Sequence, residues 1–344
     1  MNPELLGRLS NAPGISGFET AVQTIVAEAF GTSCDDTSYD RLGNVIGLKR
    51  ATGASESQDR PLRVVLAAHA DEIGMLVKHI TPEGFIRFAP VGGLHIASTM
   101  AQQVVVHGRR EVRGVIVPDV PPRDTYRPLA EMMIDVGLPR DEVVELVDIG
   151  DPVTFAAEFV QLNDKVVMGR NFDDRIGTYC LVEAMRRLGD TAVDTYGVST
   201  VQEEVGVRGM PVAAYAIEPD IGIAIDGSLC RGAYAEQQDH TCEFGRGAGI
   251  YLMDNLTIGD TRLVKFLVDL CTSHGIAFQK TIGGGTDASA LQRTRAGALS
   301  TTVGAPVRYM HSTVQLCHID DIEATISMLT TFVEHAHELF ASAA

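Results

Sequence analysis

The run Val64-Val65-Leu66-Ala67-Ala68 constrains this chain more than any other segment. Five apolar residues without alternation suit a strand buried on both faces, which needs helices on either side of a sheet. Strands are also expected over 43–48, 196–201, 221–226 and 298–303. Helices are expected over 3–8, 19–30, 175–188 and 260–274, and from Asp320 onward, so the expected class is α/β. At 344 residues the chain has room for two domains or one with an insertion.

The insertion is visible as a change of texture near Met75. Short stretches at 75–80, 85–88, 102–106, 113–116 and 152–155 read as strands broken by Gly and Pro, with one helical turn at 140–147. Such spacing predicts a small antiparallel barrel or sandwich of about 90 residues. The α/β texture returns after Met168. The expected division is therefore 1–74 and 164–344 for the α/β part and 75–163 for the inserted β part.

Charge excludes some partners. With 28 Lys+Arg against 45 Asp+Glu the net charge is −17, which argues against nucleic acid and anionic membranes, since both need clustered cations. No stretch approaches the roughly 20 apolar residues of a membrane span. Residues 1–6 lack the cationic flank and apolar core of an export signal, so a cytoplasmic location is expected. The six cysteines are scattered with no C-x-x-C pair, as suits buried thiols better than disulfides or a thiolate metal site.

The chemistry lies in where the acidic and histidine residues fall. Strand 63–68 runs into His69-Ala70-Asp71, strand 196–201 into Gln202-Glu203-Glu204, and strand 221–226 ends on Asp226; His311 follows strand 298–303. Ligands gather at the carboxyl ends of strands in open α/β sheets, so these ends are expected to meet. Asn171-Phe172-Asp173-Asp174-Arg175 adds a fifth element ahead of a helix. Two His, several carboxylates and no Cys form a donor set suited to zinc, cobalt or manganese. Each piece alone has an ordinary explanation. H-x-D is most often a surface pair, paired glutamates usually sit on a solvated face, and Asp173-Asp174 reads as a helix cap. Glu203-Glu204 is less easily dismissed, because it follows a strand that should be buried.

Together these residues resemble the metal-site sequence of the co-catalytic aminopeptidases, and more closely the tetrahedral aminopeptidase family, which includes glutamyl and deblocking aminopeptidases. The likeness runs through Ala12-Pro13-Gly14-Ile15-Ser16-Gly17-Phe18-Glu19, His69-Ala70-Asp71-Glu72-Ile73-Gly74, Phe172-Asp173-Asp174-Arg175, Gly283-Gly284-Gly285-Thr286-Asp287-Ala288 and Met310-His311-Ser312. It implies a mixed-sheet α/β/α catalytic domain of the di-zinc exopeptidase type with an inserted PDZ-like barrel. It also implies two divalent ions, zinc or cobalt, with His311, Asp173 and Glu204 on one and His69, Asp173 and Asp226 on the other. The Asp173–Asp174 peptide would be cis. Glu203 would be the general base for a water activated by both metals, and Asp71 would orient His69.

The resemblance implies a peptide substrate, a homodimer through the inserted domain, and a homododecamer. The loop Gly284, Gly285, Thr286 and Asp287 is expected to line the substrate pocket; a phosphate loop would need a Lys that is missing. His240, His318, His335 and His337 are expected to hold no ligand. The Val117–Pro122 loop adds indirect support for an assembling surface. An N-acyl deacylase or carboxypeptidase-like hydrolase on the same core is the alternative, although those relatives place their extra domain between the fourth and fifth ligands. A glycoside hydrolase is remote: the chain has no Trp and 6% aromatics, a poor lining for a sugar cleft. A non-catalytic relative is disfavoured because no ligand is missing.

Overall fold

The computed structural model describes residues 1–52, 60–118, 128–230, 232 and 242–341. Residues 119–122 of the loop singled out above, and His240, lie outside them. Among the described residues no helix is long and apolar enough to cross a membrane.

The Arg63–His69 strand sits inside an eight-stranded sheet. It pairs in parallel with Asp194–Thr200 on one side and with Ile221–Ile225 on the other. Its alternate residues face two different cores. Val64, Leu66 and Ala68 join a cluster with Phe30, Ile176, Tyr179, Leu267 and Phe332, from the helices Thr20–Ser33, Phe172–Arg187, Thr261–His274 and Ile319–His335. Val65 and Ala67 join Met210, Ala213, Ala214 and Leu291, from the helices Gly209–Ile217 and Ala288–Gln292. The all-apolar run thus follows from helices on both sides. The sheet is mixed: Leu299–Gly304 continues the parallel set beside Ile221–Ile225, whereas Val45–Lys49 and Ala248–Met253 join it antiparallel.

Residues 74–155 supply a closed six-stranded barrel, in order Gly74–Ile80, Ile86–Val91, Met132–Asp135, Glu111–Pro118, Gln103–His107, Pro152–Phe155. It is a barrel and not a sandwich, with its own core around Met75, Ile86, Val104, Ile134 and Val153. The Met132–Asp135 strand closes it and carries too few residues to show a period in sequence. A second sheet of five short strands, from Val160–Asn163 to Ser228–Leu229, was equally illegible. Val160–Asn163 pairs there with Val166–Gly169 and not in the barrel. The Gly209–Ile217 helix also escaped the periodicity reading, its sequence being apolar nearly all round.

Register aligns the strand ends. His69 lies opposite Thr200, and Ile225 opposite Val303, so residues 69–71, 201–204 and 226 leave the sheet at one level. Gly304 permits this closeness: a Cβ built there would lie 1.6 Å from the Asp226 carbonyl oxygen. Gly304→Ala must push the Ile221–Ile225 strand end aside, at a cost of about 1–3 kcal/mol or more. A urea titration should show that loss, and zinc affinity should fall with it; unchanged values would mean the backbones separate freely.

Candidate metal centre

Four successive backbone N–H groups after the Asp194–Thr200 strand are each held by a side chain from elsewhere. Val201 N donates to Asn44 Oδ1 at 2.9 Å and Gln202 N to Glu19 Oε1 at 3.1 Å. Glu203 N donates to Asp71 Oδ1 at 2.9 Å and Glu204 N to Asp71 Oδ2 at 3.1 Å. Ser16 Oγ also donates to Asp71 Oδ2, at 2.6 Å. Gln202 is held at φ +58° and His311 at φ +57°, a left-handed conformation that non-glycine residues adopt at a cost and that concentrates at functional sites.

Asp71 therefore does more than orient His69. His69 Nδ1 lies 3.0 Å from the Asp71 backbone oxygen and 3.4 Å from its carboxylate, while most of that carboxylate's acceptor capacity goes to the 203–204 backbone. His69 is the last residue of its strand, so Asp71 reaches back from the turn beyond it, not along a shared strand face. The Asp173–Asp174 peptide is cis, and the two carboxyls part company. Asp174 accepts from Gly177 N at 3.1 Å and so caps the helix; Asp173 turns into the centre. The cap anticipated in sequence is Asp174 alone.

The structure brings the predicted ligands together. His69, Asp173 and Glu204 each offer an atom within 4.8 Å of the others. Asp173 is central, 3.2 Å from His69 Nε2 through Oδ1 and 3.1 Å from His311 Nε2 through Oδ2. His311 Nε2 is 3.5 Å from Glu204, and its Nδ1 is fixed 3.0 Å from the Gly93 carbonyl oxygen. Glu203 stands 3.9 Å from His69 Nε2. Asp226 shares a cavity of about 440 Å³ with Asp173, Glu203, Glu204 and His311.

The charges show what the residues lack. Burial, with repulsion from Asp173, pushes the Glu204 carboxyl up to about 8 and Asp226 well above its ordinary range. Burial raises Glu203 similarly, with Asp226 and Asp287 adding to it against His69. Burial also opposes ionised Asp173, yet hydrogen bonds from His311 and His69 hold it below the usual carboxylate range. The Asp173 contact raises His311 to about 9. Glu204 Oε1 is buried without a partner among the described residues. Carboxylates crowded out of water, with an orphaned oxygen among them, fit a divalent cation and its O/N preference.

Of the predicted pocket loop, Gly284, Gly285 and Thr286 line this cavity. Asp287 does not. It is the N-cap residue of Ala288–Gln292, but its carboxylate turns inward and accepts from Thr200 Oγ1 at 2.5 Å; its Oδ1 is buried with no partner among the described residues, and burial raises the carboxyl to about 6 against that one hydrogen bond. His95, Leu229, Tyr251 and Met310 also line the cavity. His95 was missed because it comes from the inserted segment, and no local pattern ties it to a strand end. Ser16 and Glu19 lay within a quoted motif, but nothing local revealed their contacts to Asp71 and Gln202. His335 Nδ1 is 2.7 Å from Glu338 in a surface pair.

Two outcomes follow. Glu203, Glu204 and Asp226 bind protons more tightly folded than unfolded, as does His311, so metal-free protein must lose stability as pH rises from 5 to 8. Calorimetry with a chelator should show Tm falling across that window, and a zinc-dependent gain growing with pH; a rising apo Tm would contradict the assignment. Glu19→Ala should leave the Gln202 N–H unpaired and lower metal affinity or kcat by about 10–100-fold, read by metal titration and steady-state rates.

The chain matches the model of the M42 glutamyl aminopeptidase family over residues 43–328. It is 30% identical to a lysyl aminopeptidase of Pyrococcus furiosus, over 96% of each chain. An aminopeptidase from the archaeon Desulfurococcus kamchatkensis superposes with TM-score 0.93 at 32% identity, covering 98% of this chain and 96% of that one. The Pyrococcus horikoshii TET1 peptidase, which can assemble into a tetrahedron or a large octahedral shell, gives TM-score 0.85 at 30% identity over 96% and 98%. With the strand-end carboxylates and histidines gathered as described, the chain belongs to the M42 glutamyl aminopeptidase family and is a metal-dependent hydrolase of N-terminal peptide bonds.

Proposed function

We propose that two divalent ions bind per subunit, zinc or cobalt, with His311, Asp173 and Glu204 holding one and His69, Asp173 and Asp226 the other. The central place of Asp173, with one oxygen near each histidine, is the observation that supports this division. Bound cations would supply Lewis acidity, polarising the scissile carbonyl and making water more acidic.

Glu203 is the general base in this reading. It lines the cavity, stays outside the three-residue ligand cluster, and has its backbone fixed by Asp71. It takes the proton of the attacking water and returns it to the leaving amine. The substrate's free α-amine sits among the carboxylates of this cavity, so the cut falls after the first residue. Gly284, Gly285 and Thr286 lie against the bound peptide. Asp71 is a positioning residue for both His69 and the 203–204 backbone.

Residues 75–163 serve, in this reading, as a PDZ-like dimerisation domain inserted between 1–74 and 164–344. Twelve subunits then form a particle, supported by a similar TET1 structure solved as a dodecamer and by the tetrahedral or octahedral assembly of the Pyrococcus horikoshii relative.

Aminoacyl-p-nitroanilides tested without metal, with zinc and with cobalt decide the chemistry. Metal-dependent release should drop about 10²–10⁴-fold in Glu203→Gln, with metal content still two per subunit. Release without metal, or survival of the mutant within about tenfold, would overturn the assignment. N-acetylated peptides cleaved as fast as open ones would favour a deacylase.

A further inference from the structure

A second cavity, of about 590 Å³, adjoins the first; Gly206, Val207 and Leu256 line both. It lies between the Gly209–Ile217 helix, through Tyr215, and the Ala288–Gln292 helix, through Ser289, with Arg293 and Arg295 beyond. The two cavities have opposite character. Four carboxylates line the first; the second is lined by two arginines and no acid.

The two arginines are not equivalent. Arg295 is already engaged: its guanidinium stacks 3.5 Å over the Tyr215 ring, donates to the Tyr215 carbonyl and pairs with Glu218 at 2.9 Å. Arg293 donates Nε to the Ser289 carbonyl at 2.9 Å, and among the described residues its other N–H groups meet no carboxylate. That is notable in a chain with 45 acidic residues against 28 basic ones. Beside it, Ser289 is 1% exposed and its hydroxyl has no partner among the described residues. A buried hydroxyl without a partner in a cavity wall calls for a ligand or water to satisfy it.

We propose that this second cavity receives the far end of a short peptide substrate, with the C-terminal carboxylate bound by the Arg293 guanidinium and the Ser289 hydroxyl. The inference rests on the aminopeptidase reading. A peptide whose α-amine lies among the carboxylates of the first cavity carries its obligatory negative charge at the other end. The order of charge along the joined cavities, acid then base, complements that zwitterion. A guanidinium whose two terminal NH2 groups meet no carboxylate among the described residues suits a carboxylate better than any neutral terminus. Short peptides with free C-termini are therefore preferred over their amides.

The test compares tri-, tetra- and pentapeptides of one neutral sequence as free acids and as C-terminal amides, with metal-loaded wild type, Arg293→Gln, Arg293→Lys and Ser289→Ala. The readout is the acid-to-amide ratio of kcat/KM within each variant, so any general loss cancels. At one length, wild type should favour the acid about tenfold, chiefly through KM, the order of a net hydrogen bond to a charge. Arg293→Gln should bring the ratio to near one, Arg293→Lys should restore part of it, and Ser289→Ala should reduce it. A ratio of one in wild type at every length, or a preference that survives Arg293→Gln, overturns the proposal. An amide with Asp as its third residue is the control for side-chain acids; if it outcompetes the acid, the C-terminal assignment falls. Failure of wild type to release any residue from peptides or anilides would overturn the aminopeptidase reading itself, which separates the two failures.

Discussion

The buried carboxylate of Asp71 ties the centre together. It accepts from Ser16 and from the backbone of Glu203 and Glu204, and it faces His69. One side chain thus joins the N-terminal segment, the end of the Arg63–His69 strand and the turn after Asp194–Thr200. Donors to an ionised acceptor are the stronger class of hydrogen bond, and here they are dry. Burial opposes the ionised form, but the His69 contact and the Ser16 and backbone donors hold Asp71 below its ordinary range. Glu203 and Glu204 have no comparable freedom to move, because their amides are fixed before any ligand arrives.

A buried arginine layer holds this arrangement from behind. Arg175 is fully buried and donates to the carbonyls of Ala70 and Ala12, at 2.7 and 2.9 Å, and also to that of Leu9. Burial pulls its guanidinium down to about 10. Arg170 pairs with Glu72 at 2.8 Å, and Arg175 approaches the same carboxylate at 3.4 Å. A buried charge survives only when its partners replace water, so this cluster fixes the 9–14 segment against the 70–72 turn at considerable desolvation cost. In the centre itself the charge imbalance has the opposite sign. There the fold brings carboxylates closer than they would choose without a cation, and gives up stability of the empty protein for affinity.

The barrel is coupled to this centre through one short segment. The Gly93 carbonyl fixes His311, the His95 ring lies 6.0 Å from the His311 ring, and His95 lines the cavity. A motion of that segment would therefore be felt at His311. The narrow space at Gly93, where a Cβ would lie 2.7 Å from His311 Nδ1, makes that coupling steric as well as polar.

Much of the catalytic core was legible in sequence because two signals coincide there. A strand buried on both faces must be apolar throughout, and a polar residue at its end must be there for another reason; His69, Glu203, Glu204 and Asp226 stand out on that ground. The short strands of the second sheet had no such contrast. Asp287 departs from the expected pocket lining for a tertiary reason: it follows the glycine-rich loop in sequence, but the neighbouring strand, through Thr200, turns its carboxylate inward. Sequence by itself determined the α/β class, the inserted β segment and the types of residue at the strand ends, since these follow from burial periodicity and side-chain chemistry. Tertiary structure alone decided that Asp71 binds the 203–204 backbone, that Asp173 stands between two histidines, and that Arg293, which meets no carboxylate among the described residues, lines a cavity beside the centre. Those are distances between residues more than a hundred positions apart, or cavities between separate helices, and no local pattern encodes them.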